Sequence, residues 1–317
     1  MDSTSDAAHA AWSSRYGGTR FELPLSSLED SGPFELAKKL GEGGWGNVYR
    51  TELGGVSMAL KLLHLFPNKQ RHIFVNELRI LQKLSGRRHR HVIEFVGCFE
   101  LIGKLRSRVG LLLWPVAQCD LSNVLHYMDI LSGLKARLMG TLELMDISQP
   151  LDGEESDALN MLTTLTVHES LPQKLSKRVQ LVHAASKRRL YAIFGCLAHT
   201  ISYLHDDQRI RHKDLNPKQI LLSSQGLWLT DFGLSKDISE LSNSATNNGE
   251  KISIRYHAPE RESKGRLPCG RSEDTFALGC TFLEICYRLH DLPIEDYLNP
   301  QGLRSWTYQA NLDQIDN

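Results

Sequence analysis

Apolar and polar positions begin to alternate at Phe34. Phe34–Leu40, Asn47–Leu53 and Val56–His64 predict three strands, the first two joined by a glycine-rich turn. The period then changes: between Phe74 and Leu84, Val75, Leu78 and Leu81 lie three apart with Glu77 among them, which predicts a helix. Two further apolar runs, Val92–Phe99 and Val109–Val116, complete an expected five-stranded antiparallel sheet. Beyond Asp120 the pattern turns helical. Residues 129–182 hold no repeat or strong period and carry the acidic positions Asp152, Glu154, Glu155 and Asp157, so they read as an insertion, partly helical or disordered. From Arg189 to His205, the residues Leu190, Ile193, Phe194, Leu197, Ile201 and Leu204 share one helical face. Asp274 opens another apolar helix through Glu284. Residues 1–20, rich in Ser, Ala, Asp and Gly, read as a disordered tail. A strand-rich part (34–116) followed by a helix-rich part (117–317) predicts an α+β, two-lobed body.

Charge narrows the classes. The 317 residues carry 37 Lys+Arg and 37 Asp+Glu, so no net field draws the chain to nucleic acid or anionic lipid. The longest apolar run, Val109 to Ala117, is about half the ~20 residues of a membrane helix. The residues after Met1 are polar, with no positive or apolar stretch, so no secretory leader is expected. The expectation is an intracellular protein, cytoplasmic or nuclear, with neither nucleic acid nor membrane as partner. The six cysteines form no C-x-x-C pair and read as small buried hydrophobes.

Candidate chemistry starts at Gly41-Glu42-Gly43-Gly44-Trp45-Gly46-Asn47-Val48, a G-x-G-x-x-G-x-V stretch between two strands. Glycines let a backbone approach phosphate oxygens, although a hairpin can need them for its turn alone. A strand rather than a helix follows, which disfavours a dinucleotide fold. Lys61 ends the next strand as either a solvated lysine or the ion-pair partner of Glu77 on the following helix. The second half decides between these readings. It holds Arg211-His212-Lys213-Asp214-Leu215-Asn216-Pro217-Lys218-Gln219-Ile220-Leu221-Leu222, then Asp231-Phe232-Gly233, then His257-Ala258-Pro259-Glu260. In this order the motifs resemble the eukaryotic protein kinase superfamily, Ser/Thr-kinase-like, across about Phe34 to Tyr287. The His-Lys-Asp string is similar to that of fungal kinase-like proteins.

The resemblance implies a bilobal kinase-like fold, a protein substrate, ATP and Mg²⁺. Asp214 would receive the proton of the acceptor hydroxyl, and Asp231 would ligate Mg²⁺. Lys61, held by Glu77, would bind the α/β-phosphates under the Gly41–Val48 loop. Val48, Ala59 and Leu221 would sandwich adenine, with Leu113 as gatekeeper and Trp114 and Val116 offering hinge backbone groups. Leu81, Phe95, His212 and Phe232 match four side chains that stack in active kinases. Two positions depart from the family. Gln219 stands where an Asn helps bind the second metal, and Asn216 stands where Ser/Thr kinases place a γ-phosphate lysine; Lys218 is either a solvated loop lysine or takes over that role from the position many tyrosine kinases use. Ser253 favours Ser/Thr acceptors, and Ser235, Ser239, Ser242, Ser244 and Thr246 are candidate phosphorylation positions.

The helix-rich lobe looks truncated. Only Arg288 and Arg304 follow Asp274, so Glu260 is expected to lack its family arginine, and the Asp274–Tyr287 helix to need a covering partner. Two functions remain open at this point: an ATP- and Mg²⁺-dependent protein Ser/Thr kinase, or a pseudokinase acting as a nucleotide-binding or scaffold module.

Overall fold

The structure, a computed structural model, describes residues 3–18, 20–24, 33–43, 46–65, 69–102, 107–140, 150–167, 170–239, 254–262, 270–292 and 306–312. The chain forms two compact units, Met1–Gln118 with Trp228–Ser235, and Cys119–Leu227 with Lys236–Asn317. The Asp231-Phe232-Gly233 turn thus belongs to the first unit, although the sequence reading places it in the second lobe.

The first unit is a sheet with a helix on each face. Five antiparallel strands follow the expected pattern: β2 (Lys38–Gly43), β3 (Gly46–Leu53), β4 (Val56–Leu65), β5 (Glu94–Ile102) and β6 (Ser107–Trp114). A sixth, β1 (Arg20–Pro24), adds to the edge parallel to β5. Side chains alternate along β4. Met58, Leu60 and Leu62 enter a core with Trp12, Phe34, Phe99 and Trp114, while Lys61 faces the other way.

Helix α1 (Ser3–Tyr16) corrects the expected tail. Ala8 and Trp12 are buried, Ser5 Oγ donates to Glu94 Oε2 at 2.6 Å, and Arg88 pairs with Asp6 at 2.8 Å. A Cβ on Gly97 would lie 2.0 Å from the Trp12 ring, so the glycine makes room for the indole. Small alanines around one tryptophan leave little periodic signal, which is why the segment reads as tail.

On the opposite face lies α2 (Lys69–Ser85). Its buried residues are Phe74, Glu77, Leu78, Ile80, Leu81 and Leu84, whereas Val75 is 52% exposed. The inward stripe therefore runs through Phe74, Leu78 and Leu81 and not through Val75, the i, i+4, i+7 spacing of a core-facing helix.

The second unit is mainly helical. Strand β7 (Cys119–Asp120) leads into α3 (Leu121–Gly140), α4 (Gly153–Thr166) and α5 (Leu175–Ser202). Asp152 caps α4 in a reciprocal box with Glu155, which explains the acidic stretch at that point. The described part of 129–182 is thus mostly helical. Next come β8 (Ile210–Arg211), β9 (Ile220–Ser223) and β10 (Gly226–Leu229), the last running into the first unit. Then follow β11 (Lys236–Asp237), the short α6 (Pro259–Glu262) and α7 (Ser272–Leu289). Strand β7 pairs with β9, and β8 with β11.

At the end of the chain one expectation changes and one is narrowed. Trp306 and Tyr308 pack against Cys280, with Tyr256, Phe276, Leu283 and Tyr287 alongside, so the chain itself covers part of the α7 surface expected to need a partner. Both Tyr256 and Tyr308 donate to Glu284 Oε1 at 2.6 Å. Glu260 is only half-buried and accepts from Ser272 Oγ at 2.8 Å, so it is not stranded in the interior. Among the described cysteines Cys98 and Cys280 are buried, Cys119 and Cys196 partly so, and Cys286 is exposed, against the expectation for that residue.

Candidate functional site

Within the first unit, β4 and α2 bring opposite charges together. Lys61 Nζ donates to Glu77 Oε1 at 2.7 Å and Oε2 at 3.0 Å, and to Asp231 Oδ1 at 3.1 Å. The side chains of Lys61 and Glu77 are 15% and 3% exposed, so the pair lies out of bulk water. Burial alone would lower the lysine pKa, but the carboxylates of Asp231 and Glu77 outweigh it and raise the value, so the ammonium stays charged. Burial raises the Glu77 pKa against the pull of Lys61, and the Asp231 charge adds to the rise. Removing one member of such a buried pair costs about 3–5 kcal/mol.

The Asp231 turn is built for this position. Asp231 has φ +63, in the left-handed region that Asp tolerates better than bulkier residues. Asn76 Nδ2 on α2 donates to Gly233 O at 2.9 Å and Ser235 O at 2.8 Å. A Cβ on Gly233 would meet Ile73 Cγ2 at 2.7 Å, so a side chain there would force Ile73 or the turn to shift.

The sheet registers other predicted residues beside this array. Val48 lies opposite Lys61 on neighbouring strands, and Ala59 opposite Leu113. Gly41 and Glu42 sit exposed at the end of β2, where Glu42 pairs with Lys39. Gly43 and Gly46 face each other across the hairpin, whereas Gly44 and Trp45 lie outside the described residues. Trp114 buries its indole in the α1-facing core and lies opposite Glu94 across β5 and β6, and Val116 is half-buried. Leu81, Phe95 and Phe232 are buried in this unit, and His212 in the other.

In the second unit the Asp214 loop is fixed from below by α7. Asp274, 1% exposed, accepts from the backbone N–H groups of His212 and Lys213 at 2.7 Å each, and pairs with His205 Nε2 at 2.8 Å. Burial would raise the Asp274 pKa, yet the His205 hydrogen bond and the neighbouring charges hold it below the usual carboxylate range. This clamp supports Lys213 at φ +68, an uncommon conformation for a long side chain. Glu273 takes the fully buried Arg211 at 2.7 Å and also pairs with Arg261.

Asp214 is 7% exposed, and two amides approach it: Asn216 Nδ2 at 3.4 Å from Oδ1 and Gln219 Nε2 at 3.4 Å from Oδ2. Lys218 is exposed, and its charge reaches Asp120, whose pKa burial raises and Lys218 partly lowers. Leu221 pairs with Asp120 and is half-exposed, while its neighbour Leu222 is buried. Of the candidate phosphorylation positions, Ser235 is 3% exposed and Ser239 is exposed beside Asp237. Ser242, Ser244, Thr246 and Ser253 lie outside the described residues.

Sequence reasoning singled out Asp274 only as the start of a helix, and missed the clamp it forms with Glu273. The available signal was an acidic pair at the first turn of a helix otherwise apolar on its inner face. Among the described residues no group of three or more His, Cys, Asp or Glu could hold a metal, and no helix is long and apolar enough to cross a membrane.

Comparison with known proteins places the chain in a family. The family profile of the protein kinase domain matches residues 34–299. The chain is 32% identical over 132 residues to serine/threonine-protein kinase Nek10 of Mus musculus, covering 41% of this chain and 11% of that protein. It is 38% identical over 120 residues to the MAP kinase kinase skh1/pek1 of Schizosaccharomyces pombe, covering 38% and 31%. A probable LRR receptor-like serine/threonine-protein kinase of Arabidopsis thaliana matches at 25% over 282 residues, covering 87% of this chain and 22% of the relative. The aligned stretches thus span less than a third of each of these relatives.

Proposed function

Since the chain belongs to the protein kinase domain family, we propose that it is an ATP- and Mg²⁺-dependent protein kinase transferring the γ-phosphoryl group to Ser or Thr hydroxyls of a protein substrate. The observation that carries this reading is the buried array of Lys61, Glu77 and Asp231. A fold relic gains little from it, because a buried ion pair is often no more stabilising than apolar residues of similar volume.

The residues fit the implied groups. Mg²⁺ is usually held by one or two carboxylates together with phosphate oxygens, and Asp231, with its side chain 35% exposed, suits that role better than a closed cage would. The bound metal supplies charge neutralisation at the phosphates. Lys61 would place its ammonium against the α/β-phosphates, oriented by Glu77. Asp214 would accept the proton of the acceptor hydroxyl, with Gln219 as a second metal ligand and Lys218 as the cation nearest the transferred group. Val48, Ala59, Leu113 and Leu221 would enclose adenine, and the backbones of Trp114 and Val116 would bind its edge. Gly41, Glu42, Gly43, Gly44, Trp45 and Gly46 would cover the phosphates. Ser/Thr specificity draws on Ser253 and on the serine/threonine kinases among the relatives. ATP is held inside cells, so an intracellular setting accompanies this reading.

A second reading rests on Asn216 and Gln219: a pseudokinase that binds nucleotide or a partner without transfer. Thermal unfolding with ATP, with and without Mg²⁺, followed by transfer of labelled phosphate to a generic acceptor, separates the two. The kinase reading expects a metal-dependent rise in Tm, and label on Ser and Thr. Nucleotide binding with no label would favour the pseudokinase.

A further inference from the structure

The two departures from the family pattern meet at one carboxylate. Asn216 is 4% exposed and its side chain is fully oriented: Oδ1 accepts from Lys218 N at 3.0 Å, and Nδ2 donates to Asp214 O at 3.0 Å. With its oxygen on an N–H and its nitrogen on a carbonyl, the amide has one sensible assignment. That fixes which atom lies 3.4 Å from Asp214 Oδ1. Gln219 Nε2 lies 3.4 Å from the other oxygen, Oδ2.

We infer that Asn216 and Gln219 form a single two-amide cradle that positions the Asp214 carboxylate, so that the two departures are one coupled device. This inference rests on the phosphoryl-transfer reading for its consequence, though not for its geometry. A contact of 3.4 Å is long for a hydrogen bond and weak alone. Two such contacts on opposite oxygens restrict rotation of the carboxylate, which neither does singly. Pro217 and the short turn that follows it keep both amides in place, because Asn216 caps that turn. A lysine at 216 has three donors and no acceptor, so it could not take the Lys218 N–H. An asparagine at 219 is one methylene shorter and would fall further from Oδ2. Restoring either family residue alone therefore breaks the cradle. Asn216 acts through Asp214 and is a positioning residue; Gln219 positions Asp214 through Nε2, while its amide oxygen is the atom proposed above for the metal.

The test is a cycle of N216K, Q219N and the double variant in the full chain, with kcat and the KM for ATP measured for each. Each single change is expected to lower kcat about 10- to 100-fold with KM nearly constant, as loss of positioning does. The double variant is expected to lose far less than the product of the two. A rise in kcat in either single variant, or two losses that simply multiply, overturns the cradle. Asn216→Ser separates positioning from folding: it keeps a capping oxygen but has no amide. Wild-type Tm with reduced kcat supports the inference, and wild-type kcat overturns it. A readout independent of turnover uses the side-chain amide ¹⁵N–¹H signals of Asn216 and Gln219. Both are expected to move in Asp214→Asn, and unmoved signals overturn the cradle. Moved signals in a chain with no transfer activity would leave the cradle standing and remove the kinase reading.

Discussion

Asp231 and Asp214, the two carboxylates central to the proposed chemistry, are held in different ways. In the first unit Asp231 shares an ammonium with Glu77, and the Lys61–Glu77 pair is largely buried. In the second unit two neutral amides approach Asp214, and the carboxylates of Asp274 and Glu273 fix the loop that carries it. Charge placed directly on a site ties its geometry to strong, costly interactions. Charge placed beneath a site fixes the backbone and leaves the carboxylate to weaker contacts. The first arrangement should therefore fail abruptly on substitution, the second by degrees.

The largest effect is expected for Lys61→Met, which leaves Glu77 and Asp231 without their cation. Stability should fall by about 3–5 kcal/mol in urea unfolding at pH 7, and a loss below ~1 kcal/mol would mean that the array is solvated. Trp12→Ala tests the other face of the same sheet. Emptying the indole site above Gly97 should cost about 3 kcal/mol, although it lies outside the family match, which begins at residue 34. A negligible loss would return residues 3–16 to the status of a tail. Asn216→Ala should cost only about 1 kcal/mol, the usual worth of a cap. A loss equal to that of Lys61→Met would erase the contrast between the two sites.

Asp291 gives the smallest effect and sharpens the role of burial. Burial opposes its ionisation, but hydrogen bonds from Lys187, Ser132 and His183 bring its pKa down to about 2 from 3.8. A depressed carboxylate contributes stability above its unfolded pKa and loses it as pH falls through the folded value. The wild-type urea midpoint should thus drop more steeply between pH 4 and 2 than that of Asp291→Asn. With the side chain 34% exposed the difference should stay below ~1 kcal/mol. Parallel curves would show that the cluster carries no such linkage.

Much of this was legible in the sequence because it rests on charge and period. Lys61, Glu77, Asp214 and Asp231 are charged residues at motif spacing, and the β4 alternation that aims Lys61 away from Met58 and Leu60 is a two-residue period. The helix through Leu190, Ile193 and Leu197 was equally plain, with all three buried. Other features left weaker traces. Helix α1 buries one large side chain among alanines, so its docking depends on a glycine far along the chain. The inward stripe of α2 was misjudged by one residue because Phe74 and Val75 are both apolar, and only the sheet decides which turns inward. Asn216 and Gln219 read as losses when compared position by position with a pattern. Their proximity to a shared carboxylate exists only once the loop has folded.

The most direct measurement is the steady-state rate of phosphoryl transfer from ATP with Mg²⁺ by the wild type, Lys61→Met and Asp214→Asn, with folding of each verified. The account predicts transfer by the wild type and background rates for both variants. Equal rates in all three would contradict it.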